Sequence, residues 1–323
     1  MIDVESTDKN ISWSYAVGYS DKNLKTPINP HQPALTASNT KTYLAACILK
    51  LAEQHQLDLE QPIDNLIHKK TNKLLIRAGY KTTDIKILHI LSHTSGIADY
   101  VNDDYFDFID KHKKHQWTRD EQIKLATRTG KPLAIAGDTF QYADINYLLA
   151  SEIIENKTKK PYYEAITELL EFNKNNLMNT WFISQQKVPK NGYPLVHQYY
   201  DKFNWDSYDL NPSWDLYGGG GIAATTKDLG KFFQLLFEGK IIRDTVILSK
   251  MYSPVYSKTN YCLGVRKIHM NGYIGYYHGG WWGTDAVYFP ELKTAVVIYI
   301  LERGEKDISS EICKDVLRII NTK

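Results

Sequence analysis

The chain has 323 residues, of which 43% are hydrophobic and 24% charged, with a formal net charge of +2. Such a chain can bury a core as one large domain or as two subdomains sharing an interface. No basic stripe accompanies the small net charge, which argues against a nucleic-acid partner, and the longest apolar run, residues 295–301, is strand-sized and too short for a membrane span.

The chain opens with Met1-Ile2-Asp3-Val4-Glu5, which lacks the basic start and apolar stretch of a signal peptide, so it reads as intracellular or as a mature form without a leader. Residues 11–19 (ISWSYAVGY) are rich in aromatic and β-branched residues and predict a strand that ends at the polar turn 20–23. A loop containing Pro27, Pro30 and Pro33 leads to a helix from Ser38 to about His55, with Leu44, Cys47, Ile48 and Leu51 on one apolar face. From about residue 57 to 214 the chain is mostly helical, with helices over 85–91, 119–127, 144–156 and 162–173. Residues 194–217 form a long loop carrying Tyr199, Tyr200, Phe203, Trp205, Tyr208 and Trp214, a candidate wall of a cleft. After four glycines at 218–221 come a helix over 226–238, strands over 262–268, 272–277, 285–289 and 294–301, and a closing helix over 307–320.

This order predicts an α+β fold, an α/β sandwich in which strands from both ends form one antiparallel sheet covered by the first and last helices. Residues 1–56 and 215–323 make the sheet region, residues 57–214 a mostly helical inserted region, and the cleft between them is the expected site. Cys47, Cys262 and Cys313 show no Cys-x-x-Cys spacing, and their odd number gives no disulfide framework. No metal-ligand cluster, His-Glu-x-x-His or Gly-x-Ser-x-Gly occurs, so neither metal nor cofactor is expected. Residues 218–223 fit Gly-x-Gly-x-x-Ala, but no strand is predicted before them, and they read as a close-packed turn.

Three short stretches carry chemistry. Ser38-Asn39-Thr40-Lys41 places a serine hydroxyl and a lysine amine one helical turn apart on the same face. A desolvated amine beside a hydroxyl can act as its general base; the alternative is an N-cap serine with a solvated lysine. Tyr142-Ala143-Asp144 precedes a helix patterned by Ile145, Leu148, Leu149 and Ile153, where Asp144 also suits an N-cap. His278-Gly279-Gly280-Trp281 ends a strand with a proton-exchanging side chain and two glycines that let a ligand lie against bare backbone.

In this order the three resemble the Ser-x-x-Lys, Tyr-x-Asn and Lys/His-x-Gly motifs of the penicillin-recognising serine hydrolases. The nearer branch holds class C β-lactamases, D,D-carboxypeptidases, D-aminopeptidases and esterases. Leu91–Ile97 (LSHTSGI), residues 219–229 and residues 13–19 resemble further segments of that branch, so the likeness covers nearly the whole chain. It implies that Ser38 forms an acyl-enzyme, Lys41 takes its proton and Tyr142 relays protons to the leaving group. It further implies that the backbone N–H groups of Ser38 and Trp281 form the oxyanion hole, and that His278 supplies positive field or a hydrogen bond near Tyr142. Asp144, Gly279 and Gly280 are the implied substrate contacts, with N-capping plus pairing with Lys41 the alternative for Asp144.

Three departures stand out. Asp144 replaces the usual Asn, Gly279 replaces a Thr or Ser hydroxyl that meets the β-lactam carboxylate, and the family's first helix and strand are nearly missing ahead of Trp13. The first two tilt the expected cleft away from anionic substrates, toward an ester or an amide or peptide with a free amine, with β-lactamase activity weak. The competing reading is a non-catalytic or slowly deacylating sensor or binding module on the same fold. Likeness alone implies a periplasmic or secreted location, and a small molecule or peptide as partner.

Overall fold

Alternating residues in the late strands divide the interior into two cores. The computed structural model describes residues 1–190 and 192–321. Within it, six antiparallel strands form one sheet in the order Arg266–Met270, Tyr273–Gly280, Thr284–Phe289, Thr294–Tyr299, Ile2–Ser6, Ile11–Tyr15. Because side chains alternate across a strand, Ala286, Tyr288, Ala295 and Val297 enter the main core on one face, while Val287, Phe289, Val296 and Ile298 enter a smaller core on the other. The helix Thr226–Phe237 supplies Leu229, Phe233 and Leu236 to the first, and the closing helix Ile308–Asn321 supplies Cys313, Leu317 and Ile320 to the second. The expected α+β sandwich is therefore present.

Several boundaries differ for physical reasons. The expected strand over 11–19 stops at Tyr15, and Tyr19–Asp21 turns back on Thr26–Pro27. The strand Ile2–Ser6 was hidden by Asp3 and Glu5, yet it sits between Thr294–Tyr299 and Ile11–Tyr15 with Asp3 buried. The strand expected over 262–268 begins at Arg266, because Tyr261–Val265 makes a tight turn bridging back to Arg266. The helices Lys69–Arg77, Asp103–Lys111 and Thr245–Ser249 add to those expected.

Two features position the site. The helix Thr40–Glu53 is not amphipathic but buried on all sides, leaving only Lys50 and Glu53 outside its buried set. A small sheet joins Ala34–Leu35, Ile222–Ala224 and Thr180–Phe182 beside the start of that helix. The outer strand Arg266–Met270 pairs with Tyr273–Gly280 only as far as Tyr277, so among the described residues no strand covers the outer edge of His278–Gly280. Among the described residues no helix is long and apolar enough to cross a membrane.

Candidate active site

Ser38 lies in a 3-10 turn, Ala37–Asn39, that runs directly into Thr40–Glu53. Ala37 takes a left-handed backbone (φ 46°), a conformation costly for a side-chain-bearing residue and held here by the surroundings. Thr36 bonds the Ile222 carbonyl through both N–H and hydroxyl (each 2.9 Å), and Asn39 Nδ2 donates to the Thr284 carbonyl at 2.8 Å. The serine turn is thus pinned to both sheets. Neither Ser38 nor Asn39 caps the helix through its side chain, so the capping alternative for Ser38 is set aside.

Lys41 is fully buried, which rules out the solvated alternative. A buried ammonium must be met by acceptors, and three surround it. Nζ donates to Ser38 Oγ at 2.9 Å and to the Gly219 carbonyl at 2.5 Å, and it lies 2.7 Å from Asp144 Oδ1 in an ion contact not aligned as a hydrogen bond. The four-glycine turn thereby acquires a purpose beyond close packing. A Cβ on Gly218 would come within 2.4 Å of the Tyr147 carbonyl and one on Gly220 within 2.4 Å of the Asp215 carboxylate, so only bare backbone brings the Gly219 carbonyl to Lys41.

Asp144 does not cap the helix Ile145–Thr158 with its side chain. That task falls to Asp99, whose carboxylate accepts from the N–H groups of Asp144 and Ile145. Burial, reinforced by the Asp144 charge, raises the carboxyls of Asp99 and Asp215 to about 7. Of the alternatives for Asp144, the structure shows the pairing with Lys41 and not the N-cap, so its charge faces Lys41.

Tyr142 hydrogen-bonds the Ser38 side chain, and burial together with the Asp144 charge holds it as a neutral phenol, its pKa well above 10. Its ring rests on His93, with centroids 4.1 Å apart. His93 belongs to the Leu-Ser-His-Thr-Ser-Gly segment and is itself buried. Its Nδ1 accepts from the Ala143 N–H at 3.2 Å, so the residue after Tyr142 is tied to the same imidazole.

His278 is buried, and its environment corrects the expectation of a positive field. Desolvation, with Lys41 adding to it, pushes the imidazole down to about 3, so the ring is neutral. The Gly279 carbonyl, 3.0 Å from Nδ1, can only accept, so Nδ1 carries the proton and Nε2 accepts from the Tyr261 hydroxyl at 3.1 Å. Its hydrogen-bond partner is thus Tyr261, and Tyr142 is reached only through the Tyr261 ring, 5.9 Å away.

Ser38, Tyr142, His278, Gly279, Gly280 and Trp281 line one cavity of about 750 Å³, with Lys41 and Asp144 behind Ser38. The aromatic loop is mainly packing: Trp205 and Trp214 are buried, and Trp214 backs Trp281 at 5.2 Å. Sequence reasoning missed Asp99, Asp215, Tyr261, Arg266 and Arg303 around this site, none of which stands in a motif of its own, and it read Gly219 only as part of a close-packed turn and a family-like segment. Among the described residues no cluster of His, Cys, Asp or Glu is placed to hold a metal ion.

Comparison with known proteins assigns the family. The model of the family described as Beta-lactamase matches residues 6–308. The chain belongs to the beta-lactamase family. Its fold matches that of the D-amino acid amidase from Ochrobactrum anthropi SV3, crystallised with D-phenylalanine (20% identity, TM-score 0.79, 100% of this chain and 94% of that one). It also matches EstCE1, titled a hydrolase with promiscuous acyltransferase activity (18% identity, TM-score 0.70, 93% and 88% covered). In sequence, this beta-lactamase family member is 24% identical over 242 residues to the putative penicillin-binding protein PbpX of Bacillus subtilis strain 168, covering 75% of this chain and 56% of that protein. It is 30% identical over 152 residues to protein flp of Staphylococcus aureus strain MW2, covering 47% of this chain. The match spans only 28% of the length of flp.

Proposed function

We propose that this beta-lactamase family member is a serine hydrolase that cleaves an ester or amide through an acyl-enzyme on Ser38. The observation that carries the reading is the fully buried Lys41 amine, 2.9 Å from the hydroxyl of a serine that opens onto the cavity. Ser38 Oγ attacks the substrate carbonyl as its proton passes to the Lys41 amine, 2.9 Å away. The tetrahedral oxyanion is received by the backbone N–H groups of Ser38 and Trp281. Tyr142, a neutral phenol bonded to Ser38, hands a proton to the departing oxygen or nitrogen and recovers one from Lys41. Water then attacks the acyl group by the reverse relay and restores Ser38. Neutral His278 and Tyr261 fix the edge strand along which the substrate lies, and Gly279 and Gly280 leave its backbone bare.

Intact mass after exposure to a fluorophosphonate, run beside Ser38→Ala, tests this. One adduct on the unaltered protein and none on the variant supports the activated serine. No adduct on either overturns it in favour of a binding module.

A further inference from the structure

The two edges of the six-stranded sheet differ in a way that the acyl-enzyme chemistry does not explain. An open edge strand offers unpaired N–H and C=O groups to any strand that can reach it, and proteins ordinarily guard it with charge. The outer strand Arg266–Met270 is guarded in this way by Arg266, Lys267 and His269. The strand at the other end, Ile11–Tyr15, carries no charged residue, and among the described residues no strand pairs with its outer side.

The apolar side chains of this strand are also left in water. Ile11, Trp13 and Tyr15 alternate onto the sheet face of Val4, the face that the closing helix Ile308–Asn321 covers. Trp13 and Tyr15 stack there in near-parallel planes, with centres 5.8 Å apart. Trp13 is 49% exposed and Tyr15 54%, and the patch continues into Val17 at 78% and Tyr19 at 49%. With Ile312 and Val316 of the closing helix these residues line a groove of about 940 Å³. At about half a large side chain each, the four leave roughly 400 Å² of apolar surface in water, as much as the largest patch on an ordinary monomer. Of the charged residues lining the groove, Lys22 pairs with Glu302 at 3.0 Å and Asp315 with Arg318 at 2.6 Å, which leaves Glu305. That is not the basic fringe of a membrane-binding face.

We infer that Ile11–Tyr15 pairs with the same strand of a second copy of this chain, across a two-fold axis at Trp13, to make one sheet continuous through a dimer. The sequence Ile-Ser-Trp-Ser-Tyr has the same apolar and polar order in both directions. Antiparallel pairing about Trp13 therefore sets Ser12 opposite Ser14 of the second copy, Ile11 opposite Tyr15, and Trp13 opposite Trp13. Apolar meets apolar at every position on the groove face, as a self-complementary interface requires. The serines need nothing from the second copy, because Ser12 donates to Glu5 at 2.8 Å and Ser14 to Asp3 at 2.5 Å within their own chain. A stable interface covers about 800 Å² per partner, of which the exposed patch supplies the apolar centre and the strand edge and closing helix the rim.

Sedimentation equilibrium of the full chain, from about 1 to 100 μM, tests this and should show a dimer that dissociates on dilution. Trp13→Lys sets like charges against each other on the axis and should weaken self-association about tenfold or more, as should Trp13→Glu. An equimolar mixture of the two variants should dimerise again, because opposite charges then face each other. Circular dichroism shows whether the variants are folded. Where either is not, Trp13→Cys decides: residues facing each other on the axis lie within disulfide reach, and the three native thiols are buried, so oxidation should give a covalent dimer. A monomer at every concentration overturns the inference and leaves the groove to a lipid surface or another protein. A dimer that persists in Trp13→Lys, a mixture that stays monomeric, or a Trp13→Cys protein that does not cross-link overturns it equally.

Discussion

The Tyr277 hydroxyl donates to Asp285 at 2.7 Å, and this pair occupies the space where a side chain at position 279 would begin. A Cβ on Gly279 would sit 2.2 Å from the Tyr277 oxygen and 2.7 Å from Asp285 Oδ1. The missing hydroxyl of the family motif is thus a packing consequence, further fixed by a Ser309 hydroxyl that also donates to Asp285. Gly279→Ser should cost about 1–3 kcal/mol through overpacking, with a smaller penalty in a Tyr277→Phe background where the nearest oxygen is gone. Urea midpoints of the four proteins of this cycle check it. Strictly additive penalties would show that the two positions do not compete for space.

His93 supports Tyr142 from below and ties down Ala143, so it acts through the tyrosine and does not touch substrate. Tyr142→Phe should slow turnover by about 10²–10⁴-fold, the range for a lost proton relay. His93→Ala should slow it by a smaller factor, on the order of tenfold or more, and the double variant should be no slower than Tyr142→Phe alone. Multiplying losses would mean that His93 has a task independent of Tyr142.

The imidazole of His278 is neutral throughout the range in which the protein would be assayed, since burial pushes its pKa to about 3. His278→Gln keeps a hydrogen-bonding side chain without a titratable ring. The variant should lose activity through a loosened Tyr261 contact, while its rate profile between pH 5 and 9 keeps the inflections of the unaltered protein. A limb that disappears with the substitution would show that the imidazole titrates in the working range.

Much of this site was legible because its chemistry is local. Ser38 and Lys41 are one turn apart, Tyr142 stands just before a patterned helix, and His278 precedes two glycines, and their order along the chain, which resembles the family's motifs, singled them out. What escaped notice depends on distant segments. Asp99 caps a helix that starts 46 positions later, through its bond to Ile145. Arg303 lines the cavity beside Trp281 and Tyr200, which approach it only through the fold. The helix Lys69–Arg77 buries only Thr71 and Leu75, too little apolar periodicity to announce itself. The small sheet beside Ser38 is made from three segments of two or three residues each, shorter than any pattern can reveal.

Asp3 makes the stability of the fold depend on pH. Its Oδ1 accepts from Ser14 at 2.5 Å, but Oδ2 is buried against Gly230 without a hydrogen-bond partner among the described residues, and burial raises the carboxyl from its ordinary 3.8 to about 7. The folded protein therefore holds a proton that the unfolded chain releases between those values, and stability falls as pH rises through this window. A displacement of that size corresponds to about 4 kcal/mol between pH 3 and pH 8. Asp3→Asn removes the titration, so its stability relative to the unaltered protein should improve steadily from pH 4 to pH 7 and level off above. Thermal melts of both proteins across that range decide the matter: a constant difference between them would mean that Asp3 is ionised in the fold and paired by some other route.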